Sequence, residues 1–427
     1  MRTKLNIFQR VMLLWDHIHA YNAVHIVKVP NIFDIDKLKK ITSGYFQVNN
    51  LGALSLSQNK KQLYHKAHPN IEIKVLKNNT DETTTLHQEI QKQLNTPFDQ
   101  DEEFMPFRFF IIEENKAFHL GLVYFHATCA ADNIIHILKQ IVQAYALPAP
   151  YEFQKTLNLS PEIKVPRLLT RLKLLPLILV HTPLRILDIR RWIRPSYKDH
   201  NDHQIGYSFL KIGSEELSAL KAMAKKWQVT LNDIFLTILM KAVIPHAHKQ
   251  LTHKRYKIAI GSIVNIRKDV SHNKLEDLAL FLSGFNTTYT LKENLSLQQL
   301  CQHISAKTEK IKKRKLYMST LTEMKATLPL IYLFFSKRLN KLYPKYYPLW
   351  GGITNMNLNT LWKMDDSYLD YIRAVSTGPM IPLVFSITTV NDTVNISITF
   401  RKTVFSDEMM TDIIHNFSRH TKEINHV

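Results

Sequence analysis

Hydrophobic and polar positions follow two periods along this chain, and the places where one yields to the other mark its elements. A period of two runs through Asn22 to Val29, which predicts a half-buried strand. Arg108 to Glu113 and Phe118 to Phe125 are β-rich runs divided by the turn-like Glu114-Asn115-Lys116, which predicts a hairpin or paired neighbours. Asp34 to Ile41 reads as the start of a helix. A second helix is predicted where Ile134, Ile135, Leu138, Ile141, Val142 and Tyr145 recur at three- and four-residue steps, with Asp132 or Asn133 placed to cap it. From Pro148 to about His203 the texture changes: prolines punctuate basic, leucine-rich pieces, as in a connection built of short helices.

After Gly206 a second series begins. Tyr207 to Ile212 is strand-like, and Ser214 to Trp227 places Leu217, Leu220, Ala224 and Trp227 on one helical stripe. Thr230-Leu231-Asn232-Asp233 approximates a capping box, opening a helix that runs apolar to Val243 and meets Pro245. Strands are predicted at Lys257 to Val264, Gly284 to Thr290, Leu383 to Val390 and Val394 to Phe400, with a cationic helix from Leu297 to Leu316. Strands and helices interleave in both halves, so the class is α/β or α+β with two lobes. The expected division is residues 1–150, a proline-rich basic connection at 151–204, and residues 205–427.

Charge and composition narrow the chemistry. Lys and Arg number 56 against 36 Asp and Glu, a formal charge of +20 over 427 residues, which favours acidic partners. Cys129 and Cys301 are too few for a disulfide framework or a cysteine-rich metal site, so a reducing, cytoplasmic setting is expected. The 10 glycines form neither G-x-G-x-x-G nor G-x-x-x-x-G-K-[ST], removing sequence support for a Rossmann or Walker phosphate cradle. Neither H-E-x-x-H nor a G-x-S-x-G elbow occurs. His17, His19 and His25, or His246, His248 and His253, lack carboxylate or cysteine company, and no metal is expected. Lys312 to Lys315 reads as a cationic helix face rather than a nucleic-acid patch. Met1 to Gln9 lacks the apolar run of a signal peptide. Leu174 to Val180 and Leu328 to Phe335 are too short to span a bilayer, but both are flanked by cations, among them Arg185, Arg190, Arg191 and Arg194, as in a helix lying in an anionic membrane interface. A buried bundle helix with solvated ends fits the same pattern.

With a period of two, Leu120, Leu122, Tyr124 and His126 share a face, and His126 ends the strand just before a helix. An imidazole at such a junction is placed to accept a proton near neutral pH; a purely structural histidine would look the same.

Context adds to this. Pro97-Phe98-Asp99, Met105-Pro106-Phe107-Arg108, the strand ending in His126 and the helix to Tyr145 together resemble the CoA-dependent acyltransferase superfamily. That superfamily includes chloramphenicol acetyltransferase, condensation domains of nonribosomal peptide synthetases, and bacterial wax ester synthase/diacylglycerol acyltransferases. The likeness continues through Val229 to Asp233, Val264 to Arg267, Ser283 to Asn286 and Thr354 to Met356, in the superfamily's order. Its H-H-x-x-x-D-G motif is altered: Phe125 replaces the first histidine, Ala130 the aspartate and Ala131 the glycine, while Asp132 follows at six residues.

The resemblance implies two chloramphenicol-acetyltransferase-like lobes, each a mixed sheet flanked by helices, with a tunnel between them. It implies His126 as general base, with Asp132 in the aspartate's place. Arg267, Asn232 and Asp233 would give structural support, while Thr354 and Asn355 would line the channel and serve the oxyanion. Acyl-CoA or an acyl carrier protein would be the co-substrate, with no permanently bound cofactor, and the acceptor a small molecule or lipid hydroxyl or amine. A monomer that binds no nucleic acid, cytoplasmic or peripheral on the inner membrane surface, is expected. The altered motif also admits a catalytically decayed binding module on the same fold.

Overall fold

The computed structural model describes residues 2–57, 61–66, 71–76, 82–100, 102–147, 152–159, 184, 186–270, 275–319, 324, 328, 331, 338–363 and 365–425. Most of the two cation-flanked apolar stretches, Leu174 to Val180 and Leu328 to Phe335, therefore lies outside the described residues.

The chain forms strands β1 (Arg2–Lys4), β2 (Asn22–Val29), β3 (Ala53–Leu56), β4 (Gln62–Lys66), β5 (Ile73–Leu76), β6 (Phe107–Glu113) and β7 (Phe118–Phe125) in its first part. Its second part adds β8 (Ile205–Ile212), β9 (Lys257–Asn265), β10 (Leu282–Thr290), β11 (Gly351–Asn357), β12 (Asp370–Val375), β13 (Leu383–Val390) and β14 (Thr393–Arg401). They assemble into a five-stranded sheet ordered β12-β2-β7-β6-β5, a six-stranded sheet ordered β10-β9-β11-β13-β14-β8, and a small sheet β1-β4-β3. Both large sheets are mixed: β5 runs parallel to β6, and β11 parallel to β9 and β13, while the other pairs are antiparallel. This is the expected two-lobed α/β architecture.

One strand departs from chain order. β12 belongs to the second half of the sequence yet pairs with β2 of the first, from Asp370 opposite Lys28 to Val375 opposite Ala23. That pairing explains a difference from expectation. β2 is central rather than an edge, so it is buried on both faces instead of one, and its polar His25 bonds the Tyr371 hydroxyl at 2.5 Å. Within the same sheet, Phe110 lies across Gly121, where a Cβ would fall 2.2 Å from the ring.

Apolar burial divides into three large clusters. One face of the five-stranded sheet packs on helices Ile35–Val48 and Ala131–Ala146. The six-stranded sheet packs on helices Ser214–Lys226, Leu231–His248, Leu297–Lys313 and Asp407–Asn425. A third cluster joins Phe8, Val123, Phe125 and Ile372 to Ile266, Phe281 and Tyr317, so residues from both halves share it.

Two helix ends differ from the sequence reading. Ala130, not Asp132 or Asn133, occupies the cap position of Ala131–Ala146, and the Asn133 side chain accepts from the Ala130 N–H at 3.2 Å. The helix begun at Leu231 runs through Pro245 to His248, although the proline has no N–H to give to the preceding turn. Its capping box is present as read: Thr230 accepts from the Asp233 N–H, and Asp233 accepts from the Thr230 N–H at 3.0 Å.

Candidate active site

β9 and β11 pair over only three positions, Gly351 to Ile353 against Ile260 to Ser262, and then separate. β11 stays with β13 while β9 stays with β10, so the six-stranded sheet forks. A cavity of about 190 Å³ fills that fork and extends to the end of β7 and to β12. Its floor is made of residues without side chains: Gly261 and Gly352 face each other in register, and Gly284 and Gly378 line the walls. Four of the 10 glycines thus border one space.

His126 opens onto this cavity from the end of β7. A tight turn fixes it: the Phe125 carbonyl accepts from the Thr128 hydroxyl at 2.6 Å and N–H at 3.0 Å, and the His126 N–H donates to the Tyr21 carbonyl at 3.3 Å. The imidazole stacks on Tyr21 with centroids 5.4 Å apart and meets the edge of Tyr124 at 5.5 Å. The residue is only 5 % exposed. Burial pushes its pKa down to about 4; the backbone of Cys129 opposes the fall, and the charge of Arg373 adds to it. Nδ1 is buried without a well-formed hydrogen bond among the described residues. At neutral pH the ring is uncharged and carries a free lone pair.

Asp132 also borders the cavity, but its carboxylate is fully engaged. Arg267 holds it bidentately, Nε to Oδ2 at 2.9 Å and an Nη to Oδ1 at 2.8 Å. Asn265 donates to Oδ2 at 2.9 Å and the Asn133 N–H to Oδ1 at 3.0 Å. Four donors exhaust the in-plane lone pairs, so none is left to orient His126. The pair fastens the first turn of Ala131–Ala146 to the end of β9, lobe to lobe. Arg267 is buried too, donating to the Asp277 carbonyl at 2.8 Å and lying over Phe281.

Thr354 and Asn355 line the opposite wall on β11, Asn355 at its exposed rim. Asn232 and Asp233 are not in this space; Asp233 serves the helix cap and accepts from the Thr308 hydroxyl at 2.7 Å. Among the described residues no group of three or more His, Cys, Asp and Glu could hold a metal ion.

Sequence reasoning missed Arg373. It sits on β12, is buried, and lines the cavity. It donates to the Thr354 hydroxyl at 3.1 Å, the Thr354 carbonyl at 2.8 Å, the Ile387 carbonyl at 3.2 Å and the Thr388 hydroxyl at 3.4 Å. All these acceptors are neutral and belong to the other lobe's sheet, and no carboxylate pairs with it among the described residues. Among the described residues one Nη1–H has no partner. Burial lowers its pKa to about 10, which leaves it cationic at pH 7. No local motif marks Arg373, but the gathering of scarce glycines at 261, 284, 351, 352 and 378 is a sequence signal that backbone must approach something closely there.

Known structures share this fold. The chain superposes on the condensation domain of the Monacolin K polyketide synthase with a TM-score of 0.67 at 9% identity, covering 100% of this chain and 97% of that one. Trichothecene 15-O-acetyltransferase from Fusarium sporotrichioides gives 0.73 at 9% identity, covering 99% and 95%. The fold is that of condensation domains. Polyketide synthase associated protein 5 from Mycobacterium tuberculosis shares it as well, with a TM-score of 0.62 at 12% identity over 99% and 98% of the two chains. No protein-family model matches the sequence, and no curated protein matches it.

Proposed function

We propose that the protein is an acyltransferase that moves an acyl group from a thioester, on CoA or an acyl carrier protein, to a hydroxyl or amine. The observation that carries this reading is a neutral, immobilised imidazole facing a cavity between two lobes. Nε2 of His126 takes the acceptor's proton as its oxygen or nitrogen attacks the thioester carbonyl. The carbonyl becomes an oxyanion, which collapses and expels the thiolate, and the imidazolium returns its proton to sulfur.

The oxyanion needs donors already in place. Because the Thr354 hydroxyl accepts from Arg373, its own hydrogen is free to point into the cavity, and the unpartnered Nη1–H of Arg373 lies alongside. Asp132 is a positioning residue: through Arg267 and Asn265 it holds the start of the helix that follows His126. The acetyltransferase and condensation-domain neighbours support acyl transfer in general.

Intact-mass analysis of products from a panel of acyl-CoA and acyl-carrier donors with alcohol and amine acceptors tests this. His126→Ala should fold and lose at least ~10²-fold in turnover; near-normal turnover would remove the base assignment. The altered motif, with Ala130 and Ala131 in place of aspartate and glycine, favours a second reading as a decayed binding module. Any His126-dependent release of free thiol contradicts that second reading.

A further inference from the structure

Behind one wall of the catalytic cavity lies a second space of different character. The wall is the small cluster of Trp192, Leu349, Ile189, Tyr347 and Ile381. Tyr347, Leu349 and Ile381 face the His126 cavity, while Ile189 and the neighbouring Tyr346 face outward. On the outer side is an open groove of about 910 Å³ whose charged lining among the described residues is Arg190, Arg191, Arg194, Lys254, Arg255 and Lys345, with no carboxylate among them.

Among the described residues no carboxylate bonds these cations, and Asp188 acts on Arg191 only through its charge. Arg194 donates to the Lys345 carbonyl at 2.8 and 3.1 Å, and Arg255 to the Trp192 carbonyl at 2.7 Å. Lys345 lies over the Tyr346 ring. Burial and the charge of Arg194 both lower the pKa of Arg255. The nearest acid on the same segment, Asp188, is committed to Lys257 at 2.6 Å and to the Trp192 indole. Such a gathering of like charges costs stability unless an anion sits among them.

The rest of the lining is apolar and unusually exposed. Ile186, Leu187 and Tyr346 are 52, 53 and 59% exposed, and Leu184 beside them is 58% exposed. Aliphatic and aromatic side chains standing in solvent beside arginines that bond no carboxylate among the described residues fit a surface with anionic headgroups above hydrocarbon. A nucleic acid would ask for the cations without the leucines.

We infer that the face formed by residues 184, 186–194, 254–256 and 345–346 docks onto an anionic phospholipid bilayer, with the described arginines and lysines at the headgroups and Leu184, Ile186, Leu187 and Tyr346 entering the interface. This stands independently of whether His126 moves an acyl group.

The test is flotation of the full-length protein with phosphatidylcholine vesicles and with vesicles containing 30 mol% phosphatidylglycerol. Wild type should float only with the anionic vesicles, and high salt should weaken binding. Each cation at the surface is worth roughly fivefold in affinity. Arg190, Arg191 and Lys254 have no side-chain bonds to lose in the described structure, so R190E/R191E/K254E should stay folded and bind at least ~100-fold more weakly. A matched reversal of exposed lysines outside that lining, K39E/K221E/K225E, should bind within a few fold of wild type. L184S/L187S should also weaken binding. The inference is overturned if wild type does not float, if it floats equally with neutral vesicles, if both charge reversals act alike, or if millimolar CoA displaces the protein, which would make the occupant a nucleotide.

Discussion

The burial of His126 can be read out by pH in two independent ways. Its pKa falls from 6.5 to about 4 in the folded protein. For activity, the group must be neutral to accept a proton. An ordinary imidazole would be roughly 90% protonated at pH 5.5, whereas one with a pKa of about 4 would be only roughly 3% protonated. Thiol release from an acyl thioester should therefore be flat from pH 8 to 5.5 and fall only below about pH 5. For stability, the unfolded chain binds a proton near 6.5 that the folded chain refuses until about 4, so stability drops as pH falls between those values. Between pH 7.5 and 4.5 this one residue should cost roughly 2–3 kcal/mol, at 1.36 kcal/mol per pKa unit. Burial also depresses His19, His25, His65 and His203, so the total acid loss belongs to several groups. The difference isolates the one: His126→Gln should lose roughly 2–3 kcal/mol less than wild type over that interval, measured by urea unfolding at each pH. An acidic activity limb near 6.5, with the same pH-dependent loss in both proteins, would refute the burial argument and with it the neutral base.

Other expectations follow from the same contacts. Asp132→Ala leaves the buried Arg267 guanidinium without an anion and should cost about 3–5 kcal/mol in urea unfolding, while D132L/R267M should recover most of that. Arg373→Met should move the acidic limb of activity upward, since its charge no longer resists His126 protonation, and should lower kcat by ~10²–10³-fold if it serves the oxyanion. A drop in stability with an unmoved limb would make Arg373 only a tie between sheets. Gly261→Val sends a side chain into the fork, where even a Cβ comes within 3.3 Å of Leu349, so thioesters with long acyl chains should lose turnover before acetyl thioesters do. Gly121→Ala should destabilise by about 1–3 kcal/mol, because Phe110 has no room to yield within a packed sheet.

Much of the scaffold was legible because its elements are locally self-consistent. β2 and β7 have the bounds their period implies, and the Ser214 and Leu231 helices begin where the stripe and the Thr230 box place them. The helix Asp407–Asn425 shows the same local consistency, with Met410, Ile413, Phe417 and Ile424 at helical spacing. At the site His126 was legible as a local fact, its place at a strand end, while Asp132, Thr354 and Asn355, which border the same cavity, and Arg267, which holds Asp132, were legible only through the family resemblance. What surrounds His126 is not local. Tyr21 stacks on it from a loop more than 100 residues earlier. Arg373 reads as an ordinary polar position in a short strand until β12 is seen to join the sheet of the other half. The bidentate hold of Arg267 on Asp132 spans 135 residues, and only the finished fold reveals that this carboxylate has nothing left to offer the histidine.

The placement of β12 bears on how the protein can be made. Ribosomes add roughly 5–20 residues per second, and β12 emerges some 245 residues after β7 ends. For tens of seconds the nascent first sheet has β2 as a bare rim, its peptide groups along Asn22–Val29 unclaimed on one side. Such a rim invites pairing with the wrong neighbour. Synthesis of this chain thus includes an interval in which a holdase, or a transient strand from the polypeptide itself, must stand in for the segment that finally closes the sheet. A gene cut between the halves should yield an aggregating first fragment that becomes soluble when the second is supplied in trans.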